Sequence, residues 1–150
     1  MLWRMSKAFT KDDVPAPPMV VRHRPSLPDG MPNYVTASGL AALRAELATA
    51  EAGGARRVEL EGRIASSVLA PPPAEQEEIR FGAHVKLRAE DGRTRHVRIV
   101  GVDEADPAGG LIAFVAPLAR ALLGRRAGDR VSVRTPGGDE DLEVIAVAYD

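Results

Sequence analysis

The chain has 150 residues, with 20 basic and 21 acidic side chains and a formal net charge of −1. Proteins dedicated to nucleic-acid binding normally carry a basic excess, so this balance argues against that class and predicts that any nucleic-acid contact is indirect. The absence of cysteine excludes disulfide bridges, zinc–thiolate sites and cysteine nucleophiles. The sequence has no run of about 18 apolar residues, so we predict no membrane span and a cytoplasmic location.

Residues 1–33 are predicted to form a flexible, proline-rich tail. Prolines recur from position 15 to position 32. Each proline removes a backbone N–H donor and prevents a regular helix from continuing through it. A segment of this composition is typical of a linker without regular secondary structure.

Residues 34–70 are predicted to form a short antiparallel helical hairpin. Apolar residues recur at helical spacing on both sides of the Gly53–Gly54 pair, and the second run extends to Val68. Either Thr36 or Ser38 is placed to cap the first helix. Two amphipathic helices joined by so tight a turn pack with their apolar stripes together. Arms of about 14–17 residues are roughly 21–25 Å long at the helical rise per residue.

Residues 71–78 are predicted to be a linker between two domains. Three consecutive prolines open the segment at Pro71 and form a stiff spacer, which favours a polyproline II conformation. Acidic residues follow, and the apolar period changes immediately after them. The sequence therefore predicts a domain boundary before Ile79.

Residues 79–150 are predicted to form a sheet domain with about five strands and one short helix. The apolar period in this region is two, which indicates strands. Pro117 stands in the first turn of the predicted helix and Gly124 ends it. In the last strand we expect one face to carry Leu142, Val144, Ala146 and Ala148. The predicted fold class is α+β, with a helical hairpin followed by a β-sheet domain.

Four short segments, in a fixed order, make the chain resemble the Gre family of bacterial transcript-cleavage factors (GreA/GreB). The segments are VGVDEADP at 100–107, PLARALLG at 117–124, Gly-Asp at 128–129 and TPGG at 135–138. Residues 34–47 also resemble the start of the Gre coiled coil. The resemblance implies an FKBP-like fold for residues 79–150, a role as transcription elongation factor and RNA polymerase as the partner.

The resemblance also implies where the partner would bind. In the family, the C-terminal domain docks on the rim of the polymerase secondary channel through the loop before the helix and the helix start. The matching residues here are Phe114, Val115, Ala116, Pro117 and Leu118. Ala116 stands where the family often has serine. An exposed apolar cluster of this kind can form a groove for a partner helix, although alternation along the strand buries only one of Phe114 and Val115 on a given face.

Gre factors that stimulate transcript cleavage carry an acidic pair at the tip of a long coil, where it helps to hold Mg²⁺ in the polymerase active site. The predicted tip here offers Glu51 alone, with Arg56 and Arg57 nearby. Its arms are also shorter by roughly 20 Å of reach. We therefore predict a monomeric regulator that docks at the secondary channel without stimulating cleavage. The chain is not expected to be an enzyme or to need a cofactor or metal.

Two other functions remain open at this point. An Rnk-like regulator of nucleoside diphosphate kinase also joins a short coil to a Gre-like domain. A general protein-interaction module would have no polymerase contact. The tail and the opening at Met5, which is similar to the start of GreB-type proteins, favour the GreB lineage and leave the start codon as Met1 or Met5. His84 and His96 lie on neighbouring predicted strands but have no third ligand, so we expect them on the sheet surface.

Overall fold

The computed structural model describes residues 24–71, 73 and 75–150. Most of the predicted tail, residues 1–23, lies outside the described residues, as do positions 72 and 74 of the predicted linker. In the described part, a helical hairpin is followed by a five-stranded sheet that packs against one short helix. The predicted α+β fold class is therefore confirmed.

The hairpin consists of helix α1 (Ala37–Thr49) and helix α2 (Ala55–Ser66). Thr36 caps α1, because its side-chain oxygen accepts a hydrogen bond of 3.0 Å from the backbone N–H of Gly39. Of the two candidate caps, Thr36 is thus the one that acts. Each helix has one buried side chain, Leu43 in α1 and Leu60 in α2. Burial of these leucines is what keeps two short helices together, since isolated helices of this length are marginal in water.

Helix α2 ends two residues earlier than the apolar spacing predicts. The Ser67 hydroxyl donates to the carbonyl of Ile64 at 2.7 Å and terminates the helix. The chain then continues as strand β2 (Ser67–Leu69), which pairs in parallel with strand β1 (Asn33–Val35). Parallel neighbours need a long crossover connection, and the helical hairpin provides it. The hairpin is therefore closed at its base by backbone hydrogen bonds.

The sheet contains five strands in the order β5-β4-β3-β7-β6. The strands are β3 (His84–Ala89), β4 (Thr94–Val100), β5 (Leu111–Ala113), β6 (Arg130–Thr135) and β7 (Gly138–Ala148). All neighbours are antiparallel except β4 and β5, which are parallel. Helix α3 (Pro117–Leu122) connects β5 to β6 and has proline at its start, as predicted.

The main core lies between one face of the sheet and α3. It is formed by alternate strand residues and by the inner face of the helix, including Val85, Leu87, Val97, Ile99, Ala119, Leu122, Leu142 and Val144. The prediction for the last strand is wrong at Ala146 and Ala148, which are exposed. Lys86 pairs with Ala146 while Leu87 pairs with Val144, so the register shifts between them. A bulge of this kind moves the following side chains to the other face.

The predicted boundary before Ile79 leads to an experiment on a fragment. Ile79 donates to Arg125 and accepts from Gly124, both at 2.8 Å, and so its backbone is bonded within the sheet domain. We expect a fragment of residues 76–150 to fold alone and to unfold cooperatively in urea. Its midpoint should be lower than that of the full chain, because loss of Tyr34 uncovers part of the core. A fragment without a cooperative transition would contradict the boundary.

Candidate protein-docking site

A groove of about 300 Å³ lies beside the start of α3. Three of the five predicted contact residues, Ala116, Pro117 and Leu118, line it. Apolar side chains from other segments complete most of its surface, namely Pro25, Ala105, Pro107, Ile112, Ala113, Val133 and Pro136. Arg95 and Glu140 also line the groove, with 3.8 Å between the guanidinium and the carboxylate. The arrangement combines an apolar floor with a charged pair, as in many binding surfaces for protein segments.

The local sequence explains why the groove stays apolar at the helix start. Pro117 occupies the first helical position, where its missing N–H is not needed. Ala116 is the N-cap and offers no side-chain acceptor. A serine here would place a hydroxyl at the mouth of the groove, whereas the alanine leaves only a methyl group.

The other two predicted contact residues, Phe114 and Val115, do not line the groove. Phe114 is 9 % exposed and packs edge-on against the rings of Tyr34 and Phe81, with centroid distances of 5.8 and 5.5 Å. Val115 is half-buried and packs against the core beneath the loop. Phe114 is thus the member of the pair that faces inward, and it supports the loop that carries the other four residues.

An acidic turn next to the groove joins the sheet domain to the hairpin. The side chain of Asp103 is only 3 % exposed. It accepts hydrogen bonds from Arg24 Nε at 2.6 Å and from Asn33 Nδ2 at 3.0 Å, and Arg63 Nε lies 3.4 Å away. These partners come from the segment before β1, from β1 itself and from α2. This site was not predicted from the sequence, because residues so far apart along the chain leave no periodic signal.

Glu104 binds the start of the hairpin directly. Its carboxylate accepts from the backbone N–H of Thr36 at 3.1 Å, from that of Gly101 at 2.8 Å, and also from the Thr36 hydroxyl. The contact requires two glycines. A Cβ at Gly39 would lie 1.9 Å from Glu104 Oε1, and one at Gly101 would lie 2.0 Å from the carbonyl oxygen of Tyr34.

The environment of Asp103 makes stability depend on pH in a defined direction. Burial acts to raise the pKa of Asp103, but the hydrogen bonds from Arg24 and Asn33 outweigh it and hold the pKa below its usual value. A carboxyl with a lowered pKa stabilises the folded state above its unfolded pKa of about 3.9, and this stabilisation is lost as the pH falls through the folded pKa.

We therefore expect the free energy of unfolding to fall below about pH 4, and to fall less in Asp103→Asn, which has no carboxyl to protonate there. Urea unfolding between pH 7 and pH 2 measures the difference. The exposed Asp29→Asn is the matched control and should follow the unmodified chain. Parallel curves for Asp103→Asn and the unmodified chain would contradict the expectation.

At the hairpin tip, the two arginines are engaged within the hairpin. Arg56 donates to both carboxylate oxygens of Glu46, at 2.6 and 2.9 Å, and to Glu59 at 2.8 Å. Arg57 lies 3.4 Å from the carbonyl oxygen of Leu47, so it neutralises the end of α1. The carboxylate of Glu51 is exposed at this tip.

The histidines of β3 and β4 stack on the outer face of the sheet. The ring centroids of His84 and His96 are 5.3 Å apart, and His84 Nε2 lies 3.0 Å from Asp150 Oδ1. Within residues 24–71, 73 and 75–150, no group of three or more His, Cys, Asp or Glu side chains is arranged to hold a metal ion. In the same part of the chain, no helix has the length and apolar character needed to span a bilayer.

The sheet domain is similar in sequence to known proteins. Residues 74–149 match the family described as "Transcription elongation factor, GreA/GreB, C-term". The chain is 40 % identical over 97 residues to transcription elongation factor GreB of Neisseria meningitidis serogroup B, covering 63 % of this chain and 60 % of that protein. It is also 40 % identical over 103 residues to GreA of Acidiphilium cryptum, covering 63 % of this chain and 66 % of the relative.

A solved GreA/GreB structure from Nitrosomonas europaea superposes with a TM-score of 0.47 at 23 % identity, covering 79 % of this chain and 99 % of that one. The chain spans about 60 % of the length of its Neisseria relative. The family match takes in the whole sheet, the acidic turn and every groove-lining residue except Pro25. On that match, the chain belongs to the GreA/GreB family of transcription elongation factors.

Proposed function

We propose that the chain regulates transcription elongation by docking on RNA polymerase at the secondary channel, and that it does not stimulate transcript cleavage. It acts as a cytoplasmic monomer that touches nucleic acid only indirectly. It is not itself an enzyme and uses no cofactor. The observation that carries this proposal is the apolar groove beside α3, whose lining residues all lie within the matched family region except Pro25.

The groove has the properties that a protein partner requires. Its volume of about 300 Å³ accommodates a few apolar side chains of a helix or loop. Pro117 is exposed, whereas Ala116 and Leu118 are half-buried. These side chains are held by a short helix on a rigid sheet, so little ordering is needed on binding. Phe114 and Val115 pack against the core below the same loop, and we assign the direct contact to Ala116, Pro117 and Leu118.

The length of the hairpin and the carboxylates at its tip support the proposal that the chain does not stimulate cleavage. Helices α1 and α2 have 13 and 12 residues, which correspond to about 20 and 18 Å at the helical rise. Glu51 is the carboxylate of the tip turn, and Glu46, which lines the same tip pocket, is hydrogen-bonded to Arg56. A hard divalent cation is normally held by several oxygen ligands, so a single carboxylate is a poor site for Mg²⁺.

A binding assay tests the proposal. The full chain, immobilised through its N-terminus, is offered core RNA polymerase with and without nucleoside diphosphate kinase as competitor. We expect polymerase to be retained and the kinase to have no effect. Retention of the kinase in place of polymerase would favour the Rnk-like function, and retention of neither would reject docking on polymerase.

A further inference from the structure

We propose that Asp103 and Glu104 form a joint that sets the direction of the hairpin relative to the docking groove. In this role they are positioning residues that do not contact the partner. The joint is inferred from contacts within the chain. Its consequence for polymerase, that the hairpin tip is aimed at a fixed place once the groove is occupied, rests on the proposed function.

The two carboxylates contact β1, the N-cap of α1 and helix α2 at the base of the hairpin. Asp103 binds Asn33 of β1 and faces Arg63 of α2. Glu104 binds Thr36, the residue that caps α1. Both helices are thus connected to one short turn, and a rotation of the hairpin would separate these groups from their acceptors. Buried charged groups are costly to leave unpaired, so the contacts favour a single orientation.

The same turn also forms part of the groove. Ala105 follows Glu104 directly and lines the groove. It is buried in a small cluster with Val102 and Ala113, against which Val115 packs. Residues 102–105 therefore present two carboxylates to the hairpin and one methyl group to the docking surface. The base of the hairpin and the groove are therefore connected through four consecutive residues.

The backbone at two glycines lies too close to the joint for any larger residue to be accommodated without a shift. Gly39 and Gly101 leave room for Glu104 and for the carbonyl of Tyr34, at distances that a Cβ atom could not occupy. Gly39 lies inside α1, where alanine is the better helix former. The glycine is therefore unfavourable for the helix but suited to the joint, as expected if close approach of the hairpin matters there.

The experiment measures the hairpin direction in the free protein. The chain contains no cysteine, so Ala52→Cys at the tip and Ser132→Cys on the sheet, both exposed, accept spin labels selectively. Double electron–electron resonance (DEER) spectroscopy then gives the distribution of distances between the two spin labels. We expect a single narrow distribution in the labelled parent. The test variants are Glu104→Ala and Gly39→Ala, and Glu90→Ala in an exposed turn is the matched control.

We expect loss of the narrow distribution in Glu104→Ala and Gly39→Ala, and no change in Glu90→Ala. A broad distribution in Gly39→Ala cannot be explained by unfolding of α1, because alanine favours the helix. Its methyl group would instead displace the Glu104 carboxylate. Circular dichroism and urea unfolding verify that each variant is folded. Narrow distance distributions, unshifted from the parent in both folded test variants, would overturn the proposal that these residues set the hairpin direction.

A second measurement separates the joint from the proposed function. A photo-crosslinker attached at Ala52→Cys is used with core RNA polymerase. We expect the parent and Glu90→Ala to crosslink, and Glu104→Ala to lose the crosslink while polymerase binding persists. Undiminished crosslinking by Glu104→Ala would count against the joint. Failure of the parent to bind polymerase would reject the proposed function, and the distance distributions would still decide the joint.

Discussion

We expect Ala116→Asp to abolish tight binding of the chain to core RNA polymerase. The substituted carboxylate would be desolvated against apolar groove residues, at a cost of about 3 kcal/mol or more. Since 1.4 kcal/mol corresponds to a factor of ten in affinity, the dissociation constant should rise about a hundredfold. Titration of labelled protein with polymerase measures the change. Ala127→Asp, which places the same charge in an exposed turn, should bind normally.

The Ala116 position separates binding from folding. Ala116 is an N-cap without a side-chain acceptor, and aspartate is among the best N-cap residues, worth about 1 kcal/mol relative to alanine. Its charge also complements the helix dipole. The thermal midpoint of Ala116→Asp should therefore equal or exceed that of the unmodified chain. Undiminished binding by this folded variant would remove the groove as the docking surface.

The second large effect is an absence of cleavage stimulation. In backtracked elongation complexes with Mg²⁺, we expect the chain at saturation to leave the rate of RNA cleavage at its intrinsic value. A short arm whose turn carries Glu51, with Glu46 beside it already bound by Arg56, cannot bring two ligands to the polymerase metal. The chain should nevertheless compete with a full-length Gre factor and suppress the cleavage which that factor stimulates, because competition requires only the groove.

Glu51→Ala is the matched variant for this assay. If Glu51 has no catalytic part, the variant should compete as well as the unmodified chain and should leave the intrinsic rate unchanged. Mg²⁺-dependent cleavage by the unmodified chain that disappears in Glu51→Ala would overturn the prediction. That result would mean that the tip reaches the active site by a deeper docking position.

Local signals in the sequence were sufficient for most of the elements. Proline at position 117 marked the start of α3, and the Gly53–Gly54 pair marked the turn of the hairpin. Features that depend on distant partners were not predictable in this way. Strand β2 forms because β1 is beside it, and its residues continue a helical spacing in the sequence. The exposed position of Ala146 follows from a register shift that no pattern in its own strand reveals.

The candidate site was predictable to a similar extent. Resemblance and the apolar strand end led to residues 114–118, and the structure brings three of them together at the groove. The alternating pattern of a strand predicted that only one of Phe114 and Val115 faces the core, but it did not predict which. Phe114 does so because it packs against the rings of Tyr34 and Phe81. The contacts of Asp103 join segments far apart in the sequence, and only the folded chain displays them.

Because β1 and β2 pair in parallel at its base, the helical hairpin can change in length without a change in the geometry of that base. Backbone hydrogen bonds close the hairpin below both helices, so residues inserted near Gly53 in equal numbers on each side lengthen the arm without altering the base. Seven residues per helix add about 10.5 Å and keep the apolar stripes nearly in phase. Two such insertions in each helix would add about 21 Å. With a second carboxylate at the new tip, the chain would have a long hairpin with an acidic pair on an unchanged base.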